Sequence, residues 1–179
     1  IRGAKPAAAR YYFLAIRDVA TFVTFLQQPL LQSLLLSEQD IRSLRSGIRP
    51  RPAIPCFLNI AFSFSGMQAL GLSKGLLAQF PPAFSEGMAA RALFIGDEGG
   101  DGPDNWEGFY GSRQLHVLLA LNYLPWLEPG FVVPQQWSAP DIERHDALLQ
   151  QLWQQLTAIP CGADILMQEA AHVIREERQ

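Results

Sequence analysis

The stretch CFLNIAFSFSGMQALGL, residues 56–72, changes its periodicity partway along, and that change decides the fold. Over residues 56–64, Leu58, Ile60, Phe62 and Phe64 fall on one side of an extended chain and Phe57, Ala61 and Ser63 on the other, the two-residue period of a strand. The run then meets Ser65, whose hydroxyl can cap a one-to-two-turn helix, and Gly71, which can end that helix in the left-handed conformation. A strand that passes straight into a helix opens a helical segment before the next strand begins.

Upstream, RYYFLAIR (10–17) is an aromatic-rich strand between arginines, and Asp18 can cap a helix whose Val19, Phe22, Val23 and Leu26 recur at i, i+3, i+4 and i+7. That helix should break near Pro29. SEQD (37–40) has capping-box spacing and opens a polar helix ending by Gly47, followed by the proline-spaced connector IRPRPAIP. Downstream, SKGLLAQF, capped by Ser73, and PAFSEGMAARALF, closed by Gly96, read as two more helices. LHVLLALNYL (115–124) is a strand, and SAPD (138–141) starts the longest helix, with the stripe His145, Leu149, Leu152 and Leu156. ADILMQEAAHVI (163–174) is the last strand. The order predicts an α+β fold: a ferredoxin-like (split βαβ) antiparallel sheet, helices on one face, and a helical insertion between strands 2 and 3. Residues 1–179 are expected to form one such domain.

The composition narrows the function classes. With 49% apolar and 17% charged residues and a net charge of -3, the chain carries no basic footprint for nucleic acid. No run reaches the roughly 20 apolar residues of a membrane span. Cys56 and Cys161 belong to no CxxC pair and read as free thiols, with a disulfide the alternative. The chain opens on Ile1 without a signal-peptide pattern, so it is expected to be a piece of something longer; the compartment is undetermined, with the cytoplasm favoured over secretion.

The loop after Gly96 concentrates Asp97, Glu98, Asp101, Asp104 and Glu107. Its acids do not follow the alternating oxygens and terminal glutamate of an EF-hand, and it precedes a strand rather than a helix, which disfavours a phosphate cradle. A tight glycine turn with solvated acids is the reading that stands. His116, His145 and His172 each lie in an apolar segment without HExxH or two-histidine spacing, and read as core or edge residues rather than ligands. FSFSG lacks the opening glycine of a nucleophile elbow. Arg91 is expected to pair with Asp97 and pin the turn.

LNIAFSFSGMQALGL, FPPAFSEGMAARALFIGDEGGDGPDNWEG and LHVLLALNY together resemble the N-terminal half of DyP-type (dye-decolorising) haem peroxidases, and IRGAKPAAARYYFLAI is similar to the start of that half. In that family a pattern like N-x-A-F-T-x-x-G-L-x-A-L-G-L precedes F-x-x-G-M-x-x-R-A-x-x-L-G-D and a tryptophan loop. The matching positions are Asn59, Phe62, Gly66, Gly87, Met88, Arg91, Gly96, Asp97 and Trp106, read as building the module's shape; Ser63, Met67 and Ile95 depart from the pattern.

The resemblance implies a two-module enzyme with haem in the C-terminal module, where hydrogen peroxide oxidises the iron. The family's GxxDG aspartate and an arginine assist O–O cleavage, and a histidine of the second module binds the iron. This sequence contains no GxxDG, so no catalytic, haem-binding or metal-ligating residue is assigned to it. The expected partners are the C-terminal module or a second copy, with peroxide and an organic reductant as reactants of the whole enzyme. A noncatalytic ferredoxin-like module for assembly or small-molecule binding is the alternative.

Overall fold

The computed structural model describes residues 6–106, 108–132 and 137–172. Strands β1 (Ala8–Ile16), β2 (Cys56–Phe62), β3 (Val117–Tyr123) and β4 (Ala163–His172) form one antiparallel sheet in the order β2-β3-β1-β4. Between β1 and β2 come α1 (Val19–Gln27), α2 (Pro29–Leu34) and α3 (Glu38–Arg45). The insertion after β2 holds α4 (Phe64–Ala69), α5 (Lys74–Leu77), α6 (Pro82–Ala90) and α7 (Ala92–Ile95), then two short 3-10 turns. Helix α8 (Ala139–Leu156) returns the chain to β4. The α+β, ferredoxin-like expectation holds.

One sheet face makes the core. Tyr12 and Leu14 of β1, Leu58 of β2 and Leu119 and Leu121 of β3 are fully buried against Phe22, Phe25 and the α8 stripe Leu149, Leu152, Leu156. Tyr12 stacks on Trp153 with ring centroids 3.8 Å apart. The 3.6-residue stripe read in the sequence is the buried face of α8, His145 included. At the edge of that stripe Asp146 accepts two hydrogen bonds from Arg10, each 2.7 Å, tying α8 to the central strand. Leu36, Ile41, Leu44, Phe57, Leu124 and Leu127 form a second cluster beneath α3.

Caps follow the local rules. Asp18 accepts from the Thr21 N–H, and Ser37 with Asp40 and Ser138 with Asp141 each complete a capping box. Helix α1 breaks beside Pro29 as expected, and Pro29 then begins α2, since a first-turn proline has no N–H to lose. Two expectations need correction. The helix expected over PAFSEGMAARALF is interrupted: Gly87 adopts φ 79°, a left-handed value open to glycine, and the chain restarts at Ala92 after Arg91 leaves helical geometry. Strand β2 stops at Phe62, and the α4 cap is Ser63 rather than Ser65. Residues 173 and 174, expected in the last strand, and Glu107 of the acidic loop lie outside the described residues.

Candidate functional site

The sequence motif converges where β2 enters the insertion. Ser63 sits at the strand end, so its N–H donates to the His116 carbonyl (3.0 Å) while its hydroxyl donates to the Leu115 carbonyl (2.5 Å). The same oxygen accepts the Gly66 N–H at 2.9 Å and starts α4. Ser65 donates to the Leu115 carbonyl as well, at 3.1 Å. These bonds draw α4 onto the segment entering β3 so closely that a Cβ on Gly66 would lie 2.0 Å from the His116 carbonyl oxygen. Only glycine fits there, which gives Gly66 a structural cause.

Beside this junction lies a cavity of about 510 Å³ lined by Ser63, Phe64 and Ser65 on one side and by Glu86, Gly87 and Met88 on the other, with Arg113 at its edge. Gly87 and Met88 are therefore brought to the Ser63 junction, as neighbours across space rather than along the chain. Phe64 meets Phe80 and Phe84 edge-on, with centroids 6.4 and 6.1 Å away. The cavity holds hydroxyls already engaged with backbone and no histidine. Phe64, Met88 and Leu115 give the lining its apolar contact, and Glu86 and Arg113 are its charged side chains.

The other motif positions are spread out. Arg91 pairs with Glu86 (3.4 Å) and lies over the Phe94 ring at 4.9 Å, so the expected Arg91–Asp97 pair is not formed. Residue 86 sits one short turn back, across the Gly87 break, and the guanidinium turns toward it. The Asp97 N–H instead donates to the Ala92 carbonyl behind Gly96, whose φ of 86° closes α7. Trp106 donates its indole N–H to the Asp101 carbonyl at 2.8 Å, folding the acidic loop on itself. Phe62 ends β2 packed against the main core. Asn59 lies on the sheet face away from α8, where its side-chain carbonyl accepts from Asn122 at 3.2 Å.

The structure places each of the three histidines in or beside the sheet. His116 Nδ1 accepts the Ile16 N–H at 2.9 Å, splicing a side chain into the end of the sheet. Desolvation first, and Arg17 second, hold its pKa below the ordinary value, which keeps that nitrogen an acceptor. His145 is buried, with ring centroids 4.4 Å from Tyr123 and 4.7 Å from Trp137. Burial, then Arg144, lowers its pKa. His172 ends β4 with a buried Nδ1. No cluster of three or more His, Cys, Asp or Glu side chains suited to a metal exists among the described residues, and none of these imidazoles faces the cavity.

The strand register also orders the second sheet face. Phe57, Asn122, Ala9 and Ala171 stand side by side across the four strands; Ala61, Leu118, Phe13 and Met167 make a parallel row four residues along. Phe109 and Tyr110 lean on Phe13 at 5.5 and 5.9 Å. Between these rows runs a more polar one containing Asn59, which sequence reasoning attached to the motif without its sheet neighbours.

A four-stranded antiparallel sheet covered by helices on one face, with a helical insertion after its second strand, defines a ferredoxin-like module. Residues 1–122 match the family model of the DyP dimeric alpha+beta barrel domain, and the chain belongs to that family. Over 118 residues it is 32% identical to the dye-decolorizing peroxidase of Mycetinis scorodonius, covering 65% of this chain and 21% of that protein. Its fold is similar to that of a DyP-type peroxidase from Anabaena sp. (TM-score 0.69, 19% identity, 98% of this chain and 34% of that one). It is also similar to that of a decolorizing peroxidase from Auricularia auricula-judae (TM-score 0.66, 20% identity, 99% of this chain and 32% of that one). The chain thus spans about a fifth of the curated relative and about a third of these solved chains.

Proposed function

We propose that the chain is the N-terminal module of a DyP-type haem peroxidase, which uses hydrogen peroxide to oxidise organic substrates, and that the module does not catalyse by itself. The observation that carries this reading is the family match over residues 1–122. The 32% identity to a dye-decolorizing peroxidase supports it. The work of this module is architectural: a core-bearing sheet that presents its second face, and an insertion hung from Ser63 and Gly66. Haem belongs to the full-length protein, and iron ligation and peroxide cleavage fall to residues of its second module.

The test is a visible absorption spectrum during haem titration, run on the 179-residue chain and on the full-length protein, each checked by intact mass. The expected result is a sharp Soret band and peroxide-dependent dye oxidation for the full-length protein and neither for the chain. Dye oxidation by the chain alone would overturn the division of labour. A full-length protein that takes up no haem would favour the assembly module instead, a reading for which the exposed Leu93 and Phe94 of α7 are the observation in hand.

A further inference from the structure

One wall of the cavity beside the Ser63 junction is made by residues 85–90 without a gap. Successive residues of an unbroken helix turn away by about 100° each, so such a run cannot all face one side. The break at Gly87 allows it. Its φ is 79°, and a Cβ there would meet nothing within 4 Å, so glycine is required by the backbone turn and not by crowding. Glu86 and Met88, on either side of the break, are thereby both brought to the cavity. Phe64, held edge-on by Phe80 and Phe84, stands across from them, and Leu115 and the exposed Arg113 come from the segment that enters β3.

The polar groups of this lining are not equally available. The hydroxyls of Ser63 and Ser65 donate to the Leu115 carbonyl, that of Ser85 to the Pro82 carbonyl and that of Ser112 to the Phe109 carbonyl. Glu86 is paired with Arg91 at 3.4 Å. Arg113 has no hydrogen bond or ion pair among the described residues, so its charge is the uncompensated one. We propose that the cavity binds a small organic monoanion, an aromatic or branched aliphatic carboxylate, whose charged end pairs with Arg113 and whose apolar body lies against Phe64, Met88 and Leu115.

The ligand class follows from the chemistry of the walls. A guanidinium presents two parallel donors to a carboxylate and is more weakly hydrated than an ammonium, so the pair forms at a modest desolvation cost. The volume of about 510 Å³ falls within the roughly 300–1,000 Å³ of small-molecule sites. Glu86 limits the charge that can enter. Its carboxylate, held only loosely by Arg91, repels a second negative group, so a dicarboxylate is disfavoured beside a monocarboxylate of the same shape. The inference stands on the geometry of the insertion and does not depend on the two-module reading.

The experiment is equilibrium dialysis of naphthoate, of the neutral naphthalenemethanol and of a naphthalene dicarboxylate, against the full-length protein and the 179-residue chain. Amide shifts in the chain locate the site. Naphthoate is expected to bind both proteins about tenfold or more tightly than the alcohol and to shift residues 85–90 and 111–115. Arg113→Ala should weaken naphthoate by about tenfold or more and Arg113→Lys by less, while Lys74→Ala, an exposed cation of α5 outside the cavity, should change nothing. Glu86→Gln should bring the dicarboxylate closer to naphthoate. Uptake that Arg113→Ala leaves as strong as Lys74→Ala does, equal uptake of the alcohol, shifts confined to other residues, or no uptake of any probe would each overturn the inference. Binding by the chain that the full-length protein lacks would seat a group of the protein's own remainder in the cavity and reject a free ligand.

Discussion

The helix-covered side of the sheet and the insertion between β2 and β3 are both rich in aromatic and aliphatic side chains, and they treat them in opposite ways. Tyr12, Leu119 and Leu121 of the sheet and Phe22 and Phe25 of α1 above it are wholly inaccessible. In the insertion Leu93 is 78% exposed, Phe94 81% and Met88 64%. Apolar content does not by itself make a core; it must face another layer. The sheet has such a layer in α1 and α8, while the insertion is held by backbone hydrogen bonds at Ser63, a close approach at Gly66 and glycine turns. Folding free energy therefore sits with the sheet, and the insertion rides on it.

The contrast is broken most directly by matched truncations. Leu121→Ala deletes a fully buried side chain between β3 and α8 and should cost about 3 kcal/mol, within the roughly 2–5 measured for such cavities. Leu93→Ala deletes an equal volume from solvent and should stay within about 0.5 kcal/mol. Chemical denaturation of both variants checks the pair. Similar losses would mean that the insertion packs against something and contributes to the same cooperative unit.

What could be read from the sequence is what local physics determines. Alternation over 56–62 and the 145–156 stripe report which faces are buried, and Asp18, Ser37 and Ser138 cap because their partners lie three residues away. Choices settled by distant chain were not legible. Both Ser63 and Ser65 obey the capping rule, and the Leu115–His116 backbone, some fifty residues on, selects Ser63. Gly87 sits inside an acceptable helical pattern, and only the folded chain reveals its positive φ. The Asn59 motif position was visible, but the row it shares with Tyr11 and Glu169 needs the register of four strands at once.

A smaller effect separates the regions by pH. His145 lies on the core side, with its pKa lowered by burial and by Arg144, against opposing contributions from Asp141 and Glu128. His116, at the junction with the insertion, is lowered as well. For an imidazole depressed in the folded state the unfolded chain binds protons first, so stability is full above the ordinary value of about 6.5 and falls as pH drops below it. Melting temperature should accordingly decline between about pH 7 and about pH 5. His145→Gln should flatten that slope, whatever it does to stability at pH 7. A slope unchanged in His145→Gln would assign the proton uptake to other groups.

The smallest expected effect sharpens the comparison from the insertion's side. Arg91 pairs with Glu86 at 3.4 Å, with side-chain exposures of 27% and 51%, and covers the Phe94 ring. A pair this exposed is largely screened, and a cation over a solvated ring adds little more, so Arg91→Ala should cost about 0.5–1 kcal/mol. Asp97→Ala should cost less than about 0.5 kcal/mol, because its carboxylate is not the guanidinium's partner. A double-mutant cycle of Arg91 with Glu86, set beside one of Arg91 with Asp97, measures this: coupling is expected in the first and none in the second. Coupling to Asp97 instead would mean that the guanidinium bridges Gly96 in solution, and that the α7 turn is closed by charge as well as by the left-handed glycine. Weak coupling of Arg91 to Glu86 and none to Asp97 fits a segment whose shape is set by backbone geometry at Gly66, Gly87 and Gly96, where a side chain's charge adjusts the conformation without selecting it.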